Sequence, residues 1–286
     1  MIIVTGASGQ LGGTIVERLI KRLPAGSVGV SVRDPAKVRA LERRGVRVRQ
    51  GDFTDPESLR HAFEGASQVL VVSAATTGEA AMALHRAAIE AAQDAGTRRI
   101  LYTSHMGADP ASLFEPMPDH AATEDLLAAS DTPYTALRNG FYAASGLQLM
   151  GRALETGALH APEDGPVSWT DHADLAEAIA IILSEEGRFN VATPPLTAPE
   201  ALDMADLAQI ASELTGREIK RIVVSDDAYR ASLVSHGVPE HTAELLVGLF
   251  RASRAGAFAA VDPTLGQLLG RPPLSMRTVL ASRLPA

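Results

Sequence analysis

Short apolar runs alternate with amphipathic stretches along the first half of the chain. Strand-forming residues dominate six of these runs, which predict strands at 2–5, 27–32, 46–50, 68–73, 98–103 and 133–138. Between the runs, apolar residues recur at helical spacing, as Leu11, Ile15 and Leu19 do after the first strand. Strands that alternate with helices predict an α/β, Rossmann-type doubly wound fold around a parallel sheet.

Capping signals place several of the helix boundaries. Asp55 precedes a proline, a combination typical of a helix start, and Gly96 follows an alanine-rich stretch as a C-cap does. Asp171, His172 and Asp174 lie at the start of the apolar stretch LAEAIAIIL and are expected to cap that helix.

The alternation of strands and helices ends near residue 145. Beyond it, short strands such as 219–224 mix with clustered helices, and double prolines mark joints in the chain. The pattern therefore predicts a Rossmann domain over residues 1–145. A smaller, mainly helical lobe follows over 146–286, with some return of the chain to the first domain. Ligands of such folds lie beyond the carboxyl ends of the strands, so the lobe is expected to close over the substrate.

The composition narrows the class of protein further. Apolar residues make up 46% of the 286 residues, enough for a large core. No apolar run approaches the roughly 18 residues that span a bilayer. The N-terminus lacks the basic segment and apolar core of a signal peptide, so a soluble, cytoplasmic protein is expected. Cysteine is absent, which excludes disulfides and a catalytic thiol, and the net charge of −8 disfavours nucleic acid as a partner.

Other kinds of site have weak support. The histidines are scattered without H-E-x-x-H spacing, so no metal site is expected. The loop GASGQ does not match the G-x-S-x-G pattern of a nucleophile elbow. The sequence does not decide whether the chain forms a homodimer.

The loop TGASGQLGG joins the first strand to the first helix and predicts a dinucleotide site. Gly6, Gly9 and Gly12 form the pattern G-x-x-G-x-x-G. The first permits a tight turn, the second lets a pyrophosphate approach the backbone, and the third lets the helix pack close to the sheet. The pyrophosphate would bind the free N–H groups at the start of the helix.

The end of the second strand bears on the choice between NADP(H) and NAD(H). Arg33 follows this strand, where a guanidinium suits a 2′-phosphate and can stack on adenine. The adjacent Asp34 could instead bind the ribose, so NADP(H) is favoured and NAD(H) stays possible. Asp52 and Phe53 are expected near the adenine, and Ser73 near a ribose.

The chain lacks the usual proton donor of nicotinamide-dependent reductases. None of Tyr102, Tyr134, Tyr142 and Tyr229 is followed four residues later by lysine, so Tyr-x-x-x-Lys is absent. Ser104 ends the fifth strand, where related enzymes keep a hydroxyl.

A candidate replacement lies in the stretch PMPDHAATED. His120 and Glu124 share one helical face, so Glu124 could orient a His120 that reaches the site. The alternative is a helix that begins with Asp119 as N-cap and carries an ordinary exposed pair.

The chain resembles NmrA-like atypical short-chain dehydrogenases, and within them NAD(P)H:quinone oxidoreductases of type 2. The likeness is carried by TGASGQLGG, VRDPAK, VRQGDFTDPESLRHAFEGASQVLVVS, RILYTS, HAATEDLL and YTALRNGFY. It is dense over the first 145 residues and thinner later, with LTGREI and LGRPP near the end. The chain reads SHMGAD where those enzymes read SLLHAD, and Phe141 stands where they have tryptophan.

The resemblance implies roles for individual residues. The phosphates would be held by Arg33 together with Gly6, Ala7, Ser8, Gly9, Gln10 and Leu11. The nicotinamide side, where catalysis takes place, would be formed by Ser104, His120, Asn139 and Tyr142, and Ser104 and Asn139 would also contact the cofactor. The substrate pocket would be lined by His105, Phe141 and Tyr142.

A quinone acceptor would explain the missing proton donor. Hydride addition to a ketone leaves an alkoxide, whereas addition to a quinone leaves a phenolate-like anion whose conjugate acid has a pKa of about 10. Water or a modest donor such as His120 can protonate that anion. The sequence therefore predicts hydride transfer from NAD(P)H to a quinone or quinone-like aromatic substrate. The alternatives are a tailoring oxidoreductase or monooxygenase of aromatic natural products, and a redox sensor that binds the dinucleotide without chemistry.

Overall fold

The computed structural model describes residues 1–283, which contain eleven strands and thirteen helices. The strands are β1 (Ile2–Thr5), β2 (Val28–Val32), β3 (Arg47–Gln50), β4 (Gln68–Val71), β5 (Arg99–His105), β6 (Tyr134–Asn139), β7 (Phe141–Tyr142), β8 (Ala158–Ala161), β9 (Trp169–Thr170), β10 (Val191–Ala192) and β11 (Lys220–Val223). Seven of them form one parallel sheet in the order β10-β6-β5-β4-β1-β2-β3. The predicted α/β doubly wound architecture is confirmed.

All six strands predicted in the first half are present, with boundaries that differ by a residue or two. The largest differences are at β4, which ends before Ser73, and at β5, which continues through Ser104 to His105. The predicted strand at 219–224 is β11. The pattern did not indicate β10, because this edge strand has only two residues and Val191 has a φ of 73°. A β-branched residue rarely adopts that conformation.

The thirteen helices are α1 (Gln10–Arg22), α2 (Arg39–Glu42), α3 (Pro56–Phe63), α4 (Gly78–Asp94), α5 (Pro116–Ala128), α6 (Ala143–Leu149), α7 (Ala153–Thr156), α8 (His172–Ser184), α9 (Met204–Thr215), α10 (Asp226–Ser235), α11 (Glu240–Arg254), α12 (Thr264–Leu269) and α13 (Met276–Ala281). Two further single turns, at Ala25–Ser27 and Pro35–Val38, are 3₁₀ helices. No helix among residues 1–283 is long and apolar enough to cross a bilayer.

The expected caps are largely confirmed. The Asp55 carboxylate accepts hydrogen bonds from the N–H groups of Glu57 and Ser58 at the start of α3. Gly96 follows α4 with a φ of 70°, the left-handed conformation that glycine adopts without strain. Asp171 caps α8 by accepting a hydrogen bond from Ala173 N–H at 2.8 Å.

The buried apolar side chains form three clusters. One lies on the face of the sheet covered by α1 and α8, and a second lies on the opposite face beneath α3, α4 and α5. The third forms the core of the C-terminal lobe around Trp169, Phe250 and Phe258. Because α8 packs in the first cluster and β10 pairs with β6, the chain contributes to the sheet again after residue 145.

Asp174 does not cap α8, contrary to the expectation from the sequence. Its side chain is fully buried and joins α8 to the C-terminal segment instead of the helix start. One carboxylate oxygen accepts a hydrogen bond from the Arg271 guanidinium, and the other accepts one from Leu274 N–H at 2.6 Å. This residue therefore fastens the end of the lobe to the sheet domain.

We expect Asp174→Ala to lower the free energy of unfolding by about 1.5–3 kcal/mol, the range for hydrogen bonds to a charged group. Urea denaturation measures the change. Glu177→Ala on the same helix is the control, because its ion pairs with Arg18 and Arg22 are partly exposed and contribute at most about 1 kcal/mol. Equal losses in both variants would contradict a special role for Asp174.

Candidate active site

A cleft of about 490 Å³ opens at the carboxyl ends of β1, β2, β3 and β4. The loops that follow these strands line it, as expected for the ligand site of a doubly wound sheet. Seven residues predicted to bind the cofactor lie on its wall, namely Gly6, Ser8, Gly9, Arg33, Asp52, Phe53 and Ser73. Sequence reasoning did not single out Ser31, Thr54 and the run Ala74, Ala75 and Thr76, which line the same cleft.

The glycine loop has the geometry that phosphate binding requires. Gly6 has a φ of 62°, and its carbonyl oxygen accepts a hydrogen bond from Gly9 N–H at 2.9 Å. A Cβ on Gly12 would lie 2.5 Å from the same oxygen, so only glycine lets α1 pack this close. Gly9 is the N-cap of α1 and supplies no side-chain cap, which leaves N–H groups at the start of the helix available to an anion.

Three predicted phosphate residues do not line the cleft. Ala7 and Leu11 are buried in the core with 4% and 7% of their surface exposed, so only their backbone could contact a phosphate. The side chain of Gln10 lies in a separate surface groove with Lys37.

Arg33 and Asp34 have different surroundings at the adenosine end of the cleft. Arg33 is exposed and lines the cleft. The Asp34 carboxylate accepts a hydrogen bond from Ala36 N–H at 3.0 Å and caps the 3₁₀ turn Pro35–Val38. Hydrogen bonds from the Thr54 N–H and hydroxyl lower the pKa of Asp52, and the positive charge of Arg33 contributes. This geometry favours a 2′-phosphate on Arg33 over a ribose hydroxyl on Asp34.

The residues predicted for the nicotinamide side lie at or just after the ends of β5 and β6 and on α5, outside the set that lines this cleft. His105 and Asn139 are paired in register on these neighbouring strands. Asn139 is fully buried, and its amide lies close enough to the Tyr142 phenol to offset part of the rise that burial causes in that phenol's pKa, but neither amide atom has a partner in hydrogen-bond geometry among the described residues. Buried amides are rarely left unpaired, so this side chain fits a polar ligand such as the carboxamide of a nicotinamide.

Ser104 belongs to a different cluster from His120. Its hydroxyl donates to Glu124 at 2.5 Å, and the Arg138 guanidinium donates to both oxygens of the same carboxylate at 2.6–3.1 Å. The proposal that Glu124 orients His120 is therefore wrong, because the carboxylate binds the serine and the arginine. The Ser104 proton is directed at Glu124.

His120 occupies neither of the two arrangements expected from sequence. The helix α5 begins at Pro116, so Asp119 is not its N-cap. The Asp119 carboxylate accepts a hydrogen bond from Gly78 N–H at 2.7 Å, at the start of α4. The His120 ring is partly buried, its Nδ1 lies 2.8 Å from the Tyr102 hydroxyl, and it stacks on His105 with ring centroids 6.0 Å apart.

The burial of His120 determines its charge. Desolvation lowers the pKa of its imidazole to about 3, with a small contribution from His85. The pKa of His105 is also lowered well below its usual value, first by burial and then by His120. Both rings are therefore neutral near pH 7. His120 can donate or accept a hydrogen bond there, but it is not an imidazolium acid.

The predicted substrate residues divide into buried and accessible positions. Phe141 is 6% exposed and is enclosed by the rings of His105, Phe114, Trp169 and Phe258 at centroid distances of 5.0–5.8 Å. Phe141, which was expected to line the substrate pocket, is instead part of the core of the lobe.

His105 and Tyr142 lie beside this aromatic core. The Nδ1 atom of His105 accepts a hydrogen bond from Gly107 N–H at 3.0 Å, so its neutral ring carries the proton on Nε2. Tyr142 is partly exposed and packs on His172 with ring centroids 4.2 Å apart. Burial raises the pKa of the Tyr142 phenol, which keeps it protonated. Tyr142 is the predicted substrate residue whose ring remains accessible to an acceptor.

Sequence reasoning missed a buried network behind this site. His85 is 2% exposed, its Nε2 accepts a hydrogen bond from Ala74 N–H at 2.9 Å, and its Nδ1 lies 2.9 Å from the Thr123 hydroxyl. Burial lowers the pKa of His85 to about 4. The network thus ties the cofactor-side loop after β4 to α5. Among residues 1–283 no three histidine, aspartate or glutamate side chains are grouped so as to hold a metal ion.

Fold and cleft together define a dinucleotide-binding protein of the Rossmann class. The NAD(P)H-binding family matches residues 6–186, more than half of the chain. The chain belongs to this family, and the resemblance to NmrA-like atypical short-chain dehydrogenases is confirmed.

Individual relatives cover almost the whole chain. It is 35% identical to quinone oxidoreductase 2 of Escherichia coli over 95% of this chain and 94% of that protein. The structure of the Escherichia coli quinone oxidoreductase complexed with NADPH superimposes with a TM-score of 0.93, at 33% identity and 99% coverage of both chains. The NADP(H) complex of Citrobacter triphenylmethane reductase has a TM-score of 0.91, also at 33% identity, covering 99% of this chain and 100% of that one. The NAD(P)H azoreductase of Xenophilus azovorans is 29% identical over 95% of this chain and 94% of that protein.

Arg33 should determine the choice between the two cofactors. We expect the unmutated protein to bind NADPH more tightly than NADH by about 1.5–3 kcal/mol, the range for hydrogen bonds to charged groups. Arg33→Ala should remove most of this difference. Fluorescence titration with both cofactors measures it. Arg39→Ala, which removes an exposed arginine outside the cleft, should change little. Equal dissociation constants for NADPH and NADH in the unmutated protein would refute the assignment.

The buried histidines should make the fold sensitive to acid. The pKa of His85 is lowered from 6.5 to about 4 in the folded protein, so the unfolded chain takes up the proton first. The contribution of neutral His85 to the free energy of unfolding is complete above about pH 6.5 and is lost as the pH falls toward 4. Between pH 7 and 5 the free energy of unfolding should drop by roughly 2 kcal/mol from His85 alone.

Denaturation of the unmutated protein and of His85→Gln at pH 7 and pH 5 measures this contribution. The drop between the two pH values should be smaller in His85→Gln. His61→Gln, at an exposed histidine, is the matched control. The same pH dependence in all three proteins would show that His85 is not responsible.

Proposed function

We propose that this chain, an NAD(P)H-dependent oxidoreductase, transfers hydride from NADPH to a quinone or a related extended aromatic acceptor. The observation that carries the proposal is the neutral, partly buried His120 on α5, in a chain that has no Tyr-x-x-x-Lys pair. The chemistry of the available donors then restricts the class of acceptor.

The cofactor half of the site supports NADPH. The glycine loop offers N–H groups at the start of α1 for the pyrophosphate, and Arg33 offers a guanidinium for a 2′-phosphate. The unpaired amide of Asn139 would hold the nicotinamide carboxamide at the carboxyl ends of β5 and β6. When bound, NADPH supplies a hydride, and the acceptor takes up this hydride and one proton to become the quinol.

The donors of the chain suit an acceptor whose anion is a weak base. The Ser104 proton is directed at Glu124, and His120 is neutral near pH 7. Neither group is a strong acid that could protonate an alkoxide as it forms. A quinol anion has a conjugate acid with a pKa of about 10, so a neutral N–H donor can stabilise it until water supplies the proton.

The accessible Tyr142 ring supports a planar acceptor. Its phenol is protonated and its ring packs against His172, so it presents a fixed aromatic surface beside Asn139. The names of the relatives point to the same chemistry, since quinones, azo compounds and triphenylmethane dyes all contain extended conjugated systems. The common feature is an acceptor that spreads the incoming charge over several atoms.

The reaction class is tested by the loss of NADPH absorbance with benzoquinones, naphthoquinones, anthraquinones, azo dyes and simple ketones. We expect turnover of conjugated acceptors and little or none of ketones. Turnover of ketones without quinones would overturn the proposal. Oxygen uptake coupled to a hydroxylated product would favour a tailoring oxygenase, and tight NADPH binding without turnover of any acceptor would favour a redox sensor.

His120 should act on the chemical step and not on cofactor binding. Loss of one hydrogen-bond donor to a developing anion typically slows the reaction by about 10²–10³-fold. We therefore expect His120→Ala to lower kcat for quinones by that factor, with an unchanged Kd for NADPH. His160→Ala, at an exposed histidine, should leave kcat unchanged. Unchanged kinetics in His120→Ala would remove it from the mechanism.

A further inference from the structure

We propose that Tyr102 is a positioning residue that holds the His120 ring with its N–H at Nε2 directed into the site. The inference rests on the proposed function, in which His120 meets the acceptor. Tyr102 lies on β5 two residues before Ser104, is fully buried and touches neither the cofactor cleft nor solvent. Its hydroxyl reaches His120 Nδ1 at 2.8 Å across the space between β5 and α5.

The direction of this hydrogen bond follows from the protonation of both groups. Burial raises the pKa of the Tyr102 phenol well above its usual range, so the phenol keeps its proton. Among residues 1–283, the acceptor in hydrogen-bond geometry with that hydroxyl is His120 Nδ1. Thr123 also lies near the phenol, but its hydroxyl is already engaged with the Asp119 carbonyl oxygen at 2.7 Å and with Nδ1 of His85 at 2.9 Å. Tyr102 therefore donates, and Nδ1 of His120 accepts.

A neutral imidazole that accepts at Nδ1 carries its proton on Nε2. Within the described part of the chain no group hydrogen-bonds Nε2 of His120, and this atom is not among the buried polar atoms that lack partners. Nε2 thus reaches accessible space on the side of the ring away from Tyr102. The hydrogen bond from Tyr102 to Nδ1 therefore sets the tautomer of the imidazole and the direction of its Nε2–H group.

Tyr102 is itself held in place by the buried network. The His85 ring packs edge-on against the phenol at a centroid distance of 5.2 Å. His85 accepts from Ala74 N–H, so its other nitrogen, Nδ1, donates to the Thr123 hydroxyl. Ala74 lines the cofactor cleft. Tyr102 therefore packs on a histidine that is hydrogen-bonded to the cleft loop.

The isosteric variant Tyr102→Phe removes the hydroxyl and little else. Without the donor, Nδ1 of His120 loses its buried partner and the ring can turn away from the productive orientation. Loss of a partner that orients a metal-bound histidine typically costs about 10–100-fold in activity, and we apply the same range to His120. We expect kcat for quinones to fall by that factor in Tyr102→Phe, while the Kd for NADPH stays the same. Tyr134→Phe, a partly buried tyrosine on β6, is the matched control and should keep full activity.

A double-mutant cycle separates positioning from a general packing role. If Tyr102 acts through His120, adding Tyr102→Phe to His120→Ala should cause no further loss of kcat. A purely structural role would lower kcat by the same factor in both backgrounds and would overturn the proposal. Unchanged kcat in Tyr102→Phe would also overturn it.

The ¹⁵N chemical shifts of His120 give a readout that does not depend on activity. The unmutated protein should show a non-protonated, hydrogen-bonded Nδ1 and a protonated Nε2, and Tyr102→Phe should lose the hydrogen-bond shift at Nδ1. Identical spectra in the two proteins would contradict the proposal. Failure of the unmutated protein to reduce any quinone reports on the proposed function, and the spectra still decide whether Tyr102 orients the ring.

Discussion

The close contact between Gly12 and the carbonyl oxygen of Gly6 is the constraint on which the rest of the site depends. A Cβ at Gly12 would lie 2.5 Å from that oxygen, so any other residue would push α1 away from β1. With α1 in place, its N-cap Gly9 lies on the wall of the cleft and α8 packs beside it on the same face of the sheet. The cofactor site and one of the two sheet-facing cores thus share a single backbone contact.

Burial near the ends of β4 and β5 imposes the second constraint, which keeps three histidine rings neutral. His85, His105 and His120 all have lowered pKa values because a charged imidazole is poorly solvated there. The exposed Arg33 lines the cleft at the end of β2, and none of the three histidines lines it. The guanidinium of Arg33 is thus exposed on the wall of the cleft, whereas the three imidazoles are buried or partly buried and neutral.

Local signals made the strands, the glycine loop and several caps predictable. A capping aspartate such as Asp55 acts on N–H groups two and three residues away, and the turn at Gly6 is a property of its own backbone, so the sequence contains the relevant partners. The carboxyl-end rule then placed Arg33, Asp52 and Ser73 at one cleft without any knowledge of packing.

The partners of the catalytic half were not predictable in the same way. Glu124 could be assigned to His120 by helical spacing, but its actual partners are Ser104 and Arg138 on two strands. Asp119 looked like a local cap and instead caps a helix 41 residues earlier in the chain. These pairings depend on how α5 docks against the sheet and α4, which single-sequence periodicity does not report. Phe141 was misplaced for a related reason, because its position after β6 did not reveal that the lobe encloses its ring.

The phenol of this protein has a different place from the phenol of reductases that use Tyr-x-x-x-Lys. In those enzymes a phenol hands its proton to the reduced substrate. Here a phenol is still present, but Tyr102 lies behind the site, fully buried and with a raised pKa, and an imidazole stands in front of it. A phenol in that place is hard to deprotonate and serves better as a fixed donor to the ring than as a source of protons. The hydrogen bond from Tyr102 sets the direction of the imidazole N–H. An N–H group held in this way can stabilise an anion without having to protonate it. This arrangement suits an acceptor whose own conjugation spreads the charge, which makes a strong acid at the site unnecessary.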